Sequence, residues 1–180
     1  IKDYNSMVSM GLKNEGNTIL VIGKTIGHLD QSIFARENWS EKKGPPPEIN
    51  LFNEKNNGLI VLRLINEMLI ESCHDISLGG ILVAVAKMCI KSSKGIKINP
   101  LKSLINKFEY FFGEDQARYL IEVNSKNLKK VKNILKDNSI SFEDFGTVTK
   151  DKLQFDKEID LTLEDLNNAY KNWLRKYMVN

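Results

Sequence analysis

The chain has 180 residues, 42% apolar and 27% charged, the make-up of a globular domain with one sizeable core. No stretch approaches the ~18–20 apolar residues of a bilayer span, and there is no signal-peptide pattern, so no membrane role is expected. A net charge of +3, carried by scattered lysines, argues against a nucleic-acid partner.

Residues 1–16 read as a flexible or partial lead-in, and the domain proper as residues 17–180. The chain opens on Ile1 rather than Met, which suggests a fragment or a processed product. Residues 18–23 form an apolar run closing on glycine, the pattern of a buried strand. Residues 32–39 suit a short helix. The charged stretch 41–48, with Gly44-Pro45-Pro46-Pro47 inside it, reads as an exposed semi-rigid loop. Over residues 50–69 apolar side chains recur at helical spacing, at Leu51, Phe52, Leu59, Leu62, Ile65, Met68 and Leu69. Gly58 is a possible break there.

Residues 71–76 read as a strand. Residues 79–91 form a helix apolar on nearly every face, expected to be covered on both sides. Residues 96–98 suit a strand, and Pro100 is placed to start a helix running to about Lys107. Residues 117–123 alternate as a strand does. Residues 125–138 form an amphipathic helix with Ser125 as N-cap. Three short stretches, 140–148, 152–155 and 158–160, read as antiparallel strands joined by tight turns. Thr162 then caps a closing helix, with Asp165 completing a capping box and Leu163, Leu166, Tyr170, Trp173 and Tyr177 on its apolar face. The expected fold class is α+β, a mixed sheet layered with helices. Cys73 and Cys89 lack any metal-ligand spacing and read as reduced thiols of a cytoplasmic protein.

Three stretches carry chemistry. The first is Cys73-His74-Asp75-Ile76-Ser77-Leu78-Gly79-Gly80, a strand that turns through two glycines into the apolar helix. Such a turn gathers free N–H groups and the positive helix end where an anion can sit, and Asp75 could hold a cation bridging phosphates. The same residues also read as a plain tight turn with Ser77 as N-cap. His74 and Asp75, adjacent on a strand, are expected to face opposite ways. The second is Gly113-Glu114-Asp115-Gln116-Ala117-Arg118, a polar set able to bind a hydrogen-bonding ligand, or a solvated turn in which Arg118 pairs locally. The third is the loop Gly27-His28-Leu29-Asp30-Gln31-Ser32, where Ser32 could simply cap a helix and His28 reads as an exposed imidazole.

In order along the chain, GHLDQSIFARE, GPPPEINL, HDISLGGILVAVAKM, FFGEDQARYLIEV, FGTV and a closing Trp-Leu-x-x-Tyr-Met resemble one family. It is the large synthetase subunit of phosphoribosylformylglycinamidine synthase, specifically its C-terminal domain, over roughly residues 17–178. The glycine turn alone resembles only the wider superfamily of aminoimidazole ribonucleotide synthase and selenophosphate synthetase. GEDQAR is the narrower signal.

The resemblance implies a fragment of an ATP- and magnesium-dependent ligase of purine biosynthesis. Formylglycinamide ribonucleotide is activated as an iminophosphate, and glutamine-derived ammonia displaces the phosphate. It implies a cytoplasmic enzyme whose partners are the remaining domains of the synthetase subunit, a glutaminase subunit and a small bridging subunit. ATP or ADP would be bound, in this half as an auxiliary nucleotide, and the catalytic histidine would lie elsewhere. By the same resemblance Asp75 would coordinate magnesium, and Ser77, Gly79 and Gly80 would shape a phosphate turn. Glu114, Asp115 and Gln116 would line the ligand cleft with Arg118 in support, and Gly27 and Ser32 would belong to a loop that contacts a phosphate. Leu78 stands where the family has an acid, Asp30 where it has glycine, and Lys87 where it has glutamate. These departures weaken a metal or phosphate site and leave two other readings open: a non-catalytic scaffold, or another ATP-dependent enzyme of the superfamily.

Overall fold

The computed structural model describes residues 6–39, 44–102 and 104–179, with the backbone alone at 173–176. Strand β1 (Thr18–Ile22) is apolar from its second residue on because both of its faces are covered. Ile19 and Val21 enter one core, Leu20 and Ile22 another, as strand alternation requires. The other strands are β2 (Ser72–Asp75), β3 (Gly95–Ile98), β4 (Tyr119–Val123), β5 (Phe142–Thr149), β6 (Lys152–Phe155) and β7 (Ile159–Thr162). They form one sheet in the order β2-β4-β1-β5-β3-β6-β7. Neighbours run antiparallel except β3 and β6, so the sheet is mixed, as expected.

One face of the sheet packs on α3 (Gly80–Ser92), α4 (Lys107–Phe112) and α6 (Leu163–Val179). The other packs on α2 (Leu51–Asn66) and α5 (Ser125–Asp137). The short helix α1 (Ile33–Asn38) stands beside α4, with Phe34 stacked on Phe112 at 4.7 Å between ring centres. As its composition suggested, α3 has no exposed residue from Gly80 to Ile90, lying between the sheet and α6. Among the described residues no helix is long and apolar enough to cross a membrane.

Several expectations are corrected. Helix α2 runs unbroken through Gly58, and its buried side is Asn57, Ile60, Val61 and Leu64. Leu51, Phe52, Leu59 and Leu62 are more than half exposed. The apolar arc of α2 is wider than the contact, and the residues nearest the sheet decide which part is used. The helix expected from Pro100 to about Lys107 is absent among the described residues; α4 begins at Lys107, where that helix was to end, because Asn106 accepts from Phe108 N while Glu109 accepts from Asn106 N. Ser103, within the expected helix, lies outside the described residues. Asn124, not Ser125, caps α5.

Strands β5 and β6 are not a hairpin. Strand β3 lies between them, and among the described residues only β6 and β7 pair as antiparallel sequence neighbours. The crossing is tight, since a Cβ on Gly95 would fall 2.1 Å from the Lys152 carbonyl oxygen. The capping box of α6 forms as expected, with Asp165 N 3.1 Å from Thr162 Oγ1 and Thr162 N 3.0 Å from Asp165 Oδ2. Leu166 on its face is buried and Leu163 partly so, whereas Tyr170 and Tyr177 are exposed. The side chain of Trp173 and residues 41–43 of the proline loop lie outside the described residues.

The described part of the lead-in touches the domain at residues 12–14. Leu12 is buried, and the backbone N–H groups of Lys13 and Asn14 donate to Glu122. Both thiols are free, and burial pushes each up to about 12, which makes them poor nucleophiles.

Candidate functional site

The three polar stretches meet at one end of the sheet, and the stretch leading into β4 joins them. Arg118 is fully buried and donates from Nε to the Asp115 carbonyl (3.1 Å), from Nη2 to the Gly113 carbonyl (2.6 Å) and from Nη1 to Thr25 Oγ1 (3.3 Å). Burial lowers its pKa, and the Asp115 carboxylate, 3.6 Å away, opposes that shift. Asp115 is itself buried and accepts three backbone N–H groups, those of Ile26 and Gly27 at 2.9 Å and of His28 at 3.0 Å. The solvated-turn reading therefore fails: the local ion pair exists, but inside the protein.

Glu114 reaches the other way. Its Oε1 accepts from Ile33 N and from Gly79 N, each at 2.8 Å, while its own N–H donates to the His28 carbonyl at 2.9 Å. One carboxylate oxygen thus links the first residue of α1 to the glycine turn. Ser32 is buried and caps α1 by accepting from Ala35 N at 3.1 Å, so its hydroxyl is turned inward. Gly27, at φ +88°, sits where a Cβ would lie 2.7 Å from Glu109 Cβ. His28 is half-buried, with Nε2 3.0 Å from the Pro45 carbonyl. Asp30, where the resemblance expects glycine, lays its carboxylate against Gly44.

The glycine turn follows β2, and Ile76 N donates to the Arg118 carbonyl at 2.9 Å. Gly79 caps α3 without a side-chain bond, and Ser77 is exposed and supplies only its carbonyl, to Gly80 N at 3.0 Å. The Ser77 N-cap is thereby corrected. Gly80 has φ +73°, and a Cβ there would lie 2.6 Å from the Phe111 carbonyl oxygen and 2.7 Å from the Phe112 carbonyl carbon. What approaches Gly80 so closely is α4 itself, not a ligand. Gly80→Ala combines a left-handed backbone with a backbone clash and should cost at least ~2 kcal/mol, read from the urea midpoint.

Asp75 is exposed at the end of β2, opposite Tyr119 in the sheet register. Its Oδ1 lies 3.3 Å from His74 Nδ1, so the two side chains meet although strand alternation was expected to part them. Burial lowers the His74 pKa, with the Asp75 charge opposing. Among the described residues no group of three or more His, Cys, Asp or Glu is placed to hold a metal.

Gln116 is exposed, its amide holding only a long contact of 3.4 Å to the Glu114 carbonyl. It stands in a cavity of about 300 Å³, with Lys24, His28, Asn50, Asn53 and Asn57 among the lining residues. Sequence reasoning missed Lys24 and the three asparagines. The signal available was the spacing of Asn50, Asn53 and Asn57, which puts the N-cap of α2 and two residues of its first turns on one side of the helix.

Residues 14–156 match the family model described as AIR synthase related protein, C-terminal domain. The chain is 54% identical over 180 residues to phosphoribosylformylglycinamidine synthase subunit PurL of Pelagibacter ubique (strain HTCC1062), and spans 25% of that relative. It is 38% identical to the subunit of the same name from Bartonella bacilliformis, spanning 24% of it. The chain thus has about a quarter of the length of these curated relatives. Its fold is similar to that of Thermotoga maritima PurL complexed with FGAR, with a TM-score of 0.72 at 18% identity, over 91% of this chain and 30% of that one.

Proposed function

Because the chain belongs to the family of AIR synthase related C-terminal domains, we propose that it works as one domain of an ATP-dependent synthetase of purine biosynthesis. The parent enzyme converts formylglycinamide ribonucleotide to formylglycinamidine ribonucleotide with ammonia from glutamine. The identity to PurL subunits supports this reading, and one geometric observation carries it: Glu114 and Asp115 draw all three motif stretches to the same end of the sheet. Asp75 and Gln116 belong to that end as well, one beside Tyr119 and the other two residues before Arg118.

In this reading the ligand-facing groups are the exposed ones: the Gln116 amide, the Ser77 hydroxyl and the Asp75 carboxylate. Gly27, Ser32, Gly79, Gly80, Glu114, Asp115 and Arg118 shape the loops behind them. A single exposed carboxylate fits magnesium only if ligand phosphates complete its coordination; the ion would then neutralise phosphate charge. ATP or ADP is the nucleotide, and the domain contributes binding rather than the reacting groups. The rest of the synthetase subunit, a glutaminase subunit and a bridging subunit complete a cytoplasmic enzyme. A second reading, an auxiliary or scaffold domain, is favoured by the way Glu114 already occupies the Gly79 N–H.

The full-length parent with its glutaminase should convert the ribonucleotide, whereas the 180-residue chain alone should not. Equilibrium dialysis of magnesium-ADP should show binding weakened about tenfold by Asp75→Ala, the loss of one charge-assisted contact. A parent with intact subunits that never converts the ribonucleotide would refute the assignment. An unchanged dissociation constant in Asp75→Ala would remove Asp75 from the site.

A further inference from the structure

We propose that Glu114 is a positioning residue that bolts the loop of residues 26–33 to the glycine turn, rather than a group that touches ligand. This rests on the reading above that a phosphate-bearing ligand meets this end of the sheet. Adjacent residues of the loop before β4 hold the 26–33 loop at both ends. Asp115 takes the N–H groups of Ile26, Gly27 and His28. Glu114 takes that of Ile33, and its own N–H holds the His28 carbonyl. The oxygen bound to Ile33 also binds Gly79, so the loop is fastened to the start of α3 through one atom. Ile26 and His28 form part of the wall of the cavity in which Gln116 stands. The width of that cleft therefore follows the loop, and the loop follows Glu114.

The bolt needs an acceptor oxygen with two lone pairs, not a charge. A glutamine carbonyl oxygen provides that, and an alanine provides nothing. A contact to a cation would need the charge, and a carboxylate that merely occupied the place of a ligand would be better removed. Glu114→Gln and Glu114→Ala thus separate three roles.

The experiment compares wild type, Glu114→Gln and Glu114→Ala as the full chain, by amide hydrogen exchange and by dialysis of magnesium-ADP. With a bolt, Glu114→Ala exchanges about tenfold faster at Ile33 and Gly79, and also at Ile26, Gly27 and His28, whose own acceptor Asp115 is untouched. Glu114→Gln stays within about threefold of wild type at all five. The dissociation constant follows the same order, about tenfold weaker in the alanine variant and restored by glutamine.

Faster exchange confined to Ile33 and Gly79 would overturn the proposal, since the bonds would then be independent. So would a glutamine variant that binds as poorly as alanine, which would mean that the charge meets the ligand. An alanine variant that binds more tightly than wild type would make Glu114 an occupant that the ligand displaces, and would overturn it too. If wild type binds no magnesium-ADP, the reading under Proposed function fails, while the exchange pattern still decides the bolt.

Discussion

Glu122→Ala should lower the unfolding free energy by roughly 3–5 kcal/mol, the cost of leaving several donors of a buried network without their acceptor. The side chain is fully buried in β4 and accepts from four donors. Its Oε1 takes Asn14 N at 3.0 Å and Asn17 Nδ2 at 2.7 Å, while its Oε2 takes Lys13 N and Ser72 Oγ, both at 2.9 Å. Alanine leaves these donors facing a cavity, and only those nearest the surface can recover water. Glutamine keeps one acceptor and turns an NH₂ toward the remaining donors, so it should cost about half as much. Ser72→Ala removes one donor and leaves the carboxylate otherwise served, with a loss of about 1 kcal/mol. Urea unfolding of the three variants gives the order directly. Equal midpoints for Glu122→Ala and Ser72→Ala would show that the network does not act as a unit.

The same residue shows what a sequence reveals and what it hides. Within β4 the apolar pair Ile121 and Val123 on either side of Glu122 marks a strand, because period 2 is a local property. Glu122 would be assigned to solvent by that pattern, and its real partners are Lys13, Asn14 and Asn17 in a loop more than a hundred positions earlier and Ser72 in β2. Two of the misread elements share this cause. The buried face of α2 and the neighbours of β5 depend on what other segments present, which no window of neighbouring residues contains, whereas the start of α4 is set locally by the box of Asn106 and Glu109. At the candidate site the motif positions were legible as concentrations of polar side chains beside glycine turns. Their roles were not, because a carboxylate beside a glycine turn has the same spelling whether it serves a phosphate or the chain's own N–H groups. Ser32 shows the opposite case: its reading as a plain N-cap needed only the residue and the helix after it, and the structure has it so.

Arg118→Met should cost roughly 3–4 kcal/mol, a fall of about 6–16 °C in Tm by the usual scaling for a chain of this size. Methionine fills much of the volume but makes none of the hydrogen bonds to Gly113, Asp115 and Thr25, and it leaves the buried Asp115 carboxylate without its cation. Lysine should rescue little. The acceptors lie in different directions around a planar fork, and one ammonium at the end of a flexible stem cannot meet them together. Gln116→Ala, two residues away, should leave Tm almost unchanged, since its amide is exposed and has only the 3.4 Å contact to lose. The two residues therefore differ within one motif: Arg118 builds the loop, and Gln116 is exposed and adds little to its stability. Calorimetric scans of Arg118→Met, Arg118→Lys and Gln116→Ala test that division. A Gln116→Ala variant as unstable as Arg118→Met would mean that the whole motif is architecture and that the ligand must be sought elsewhere.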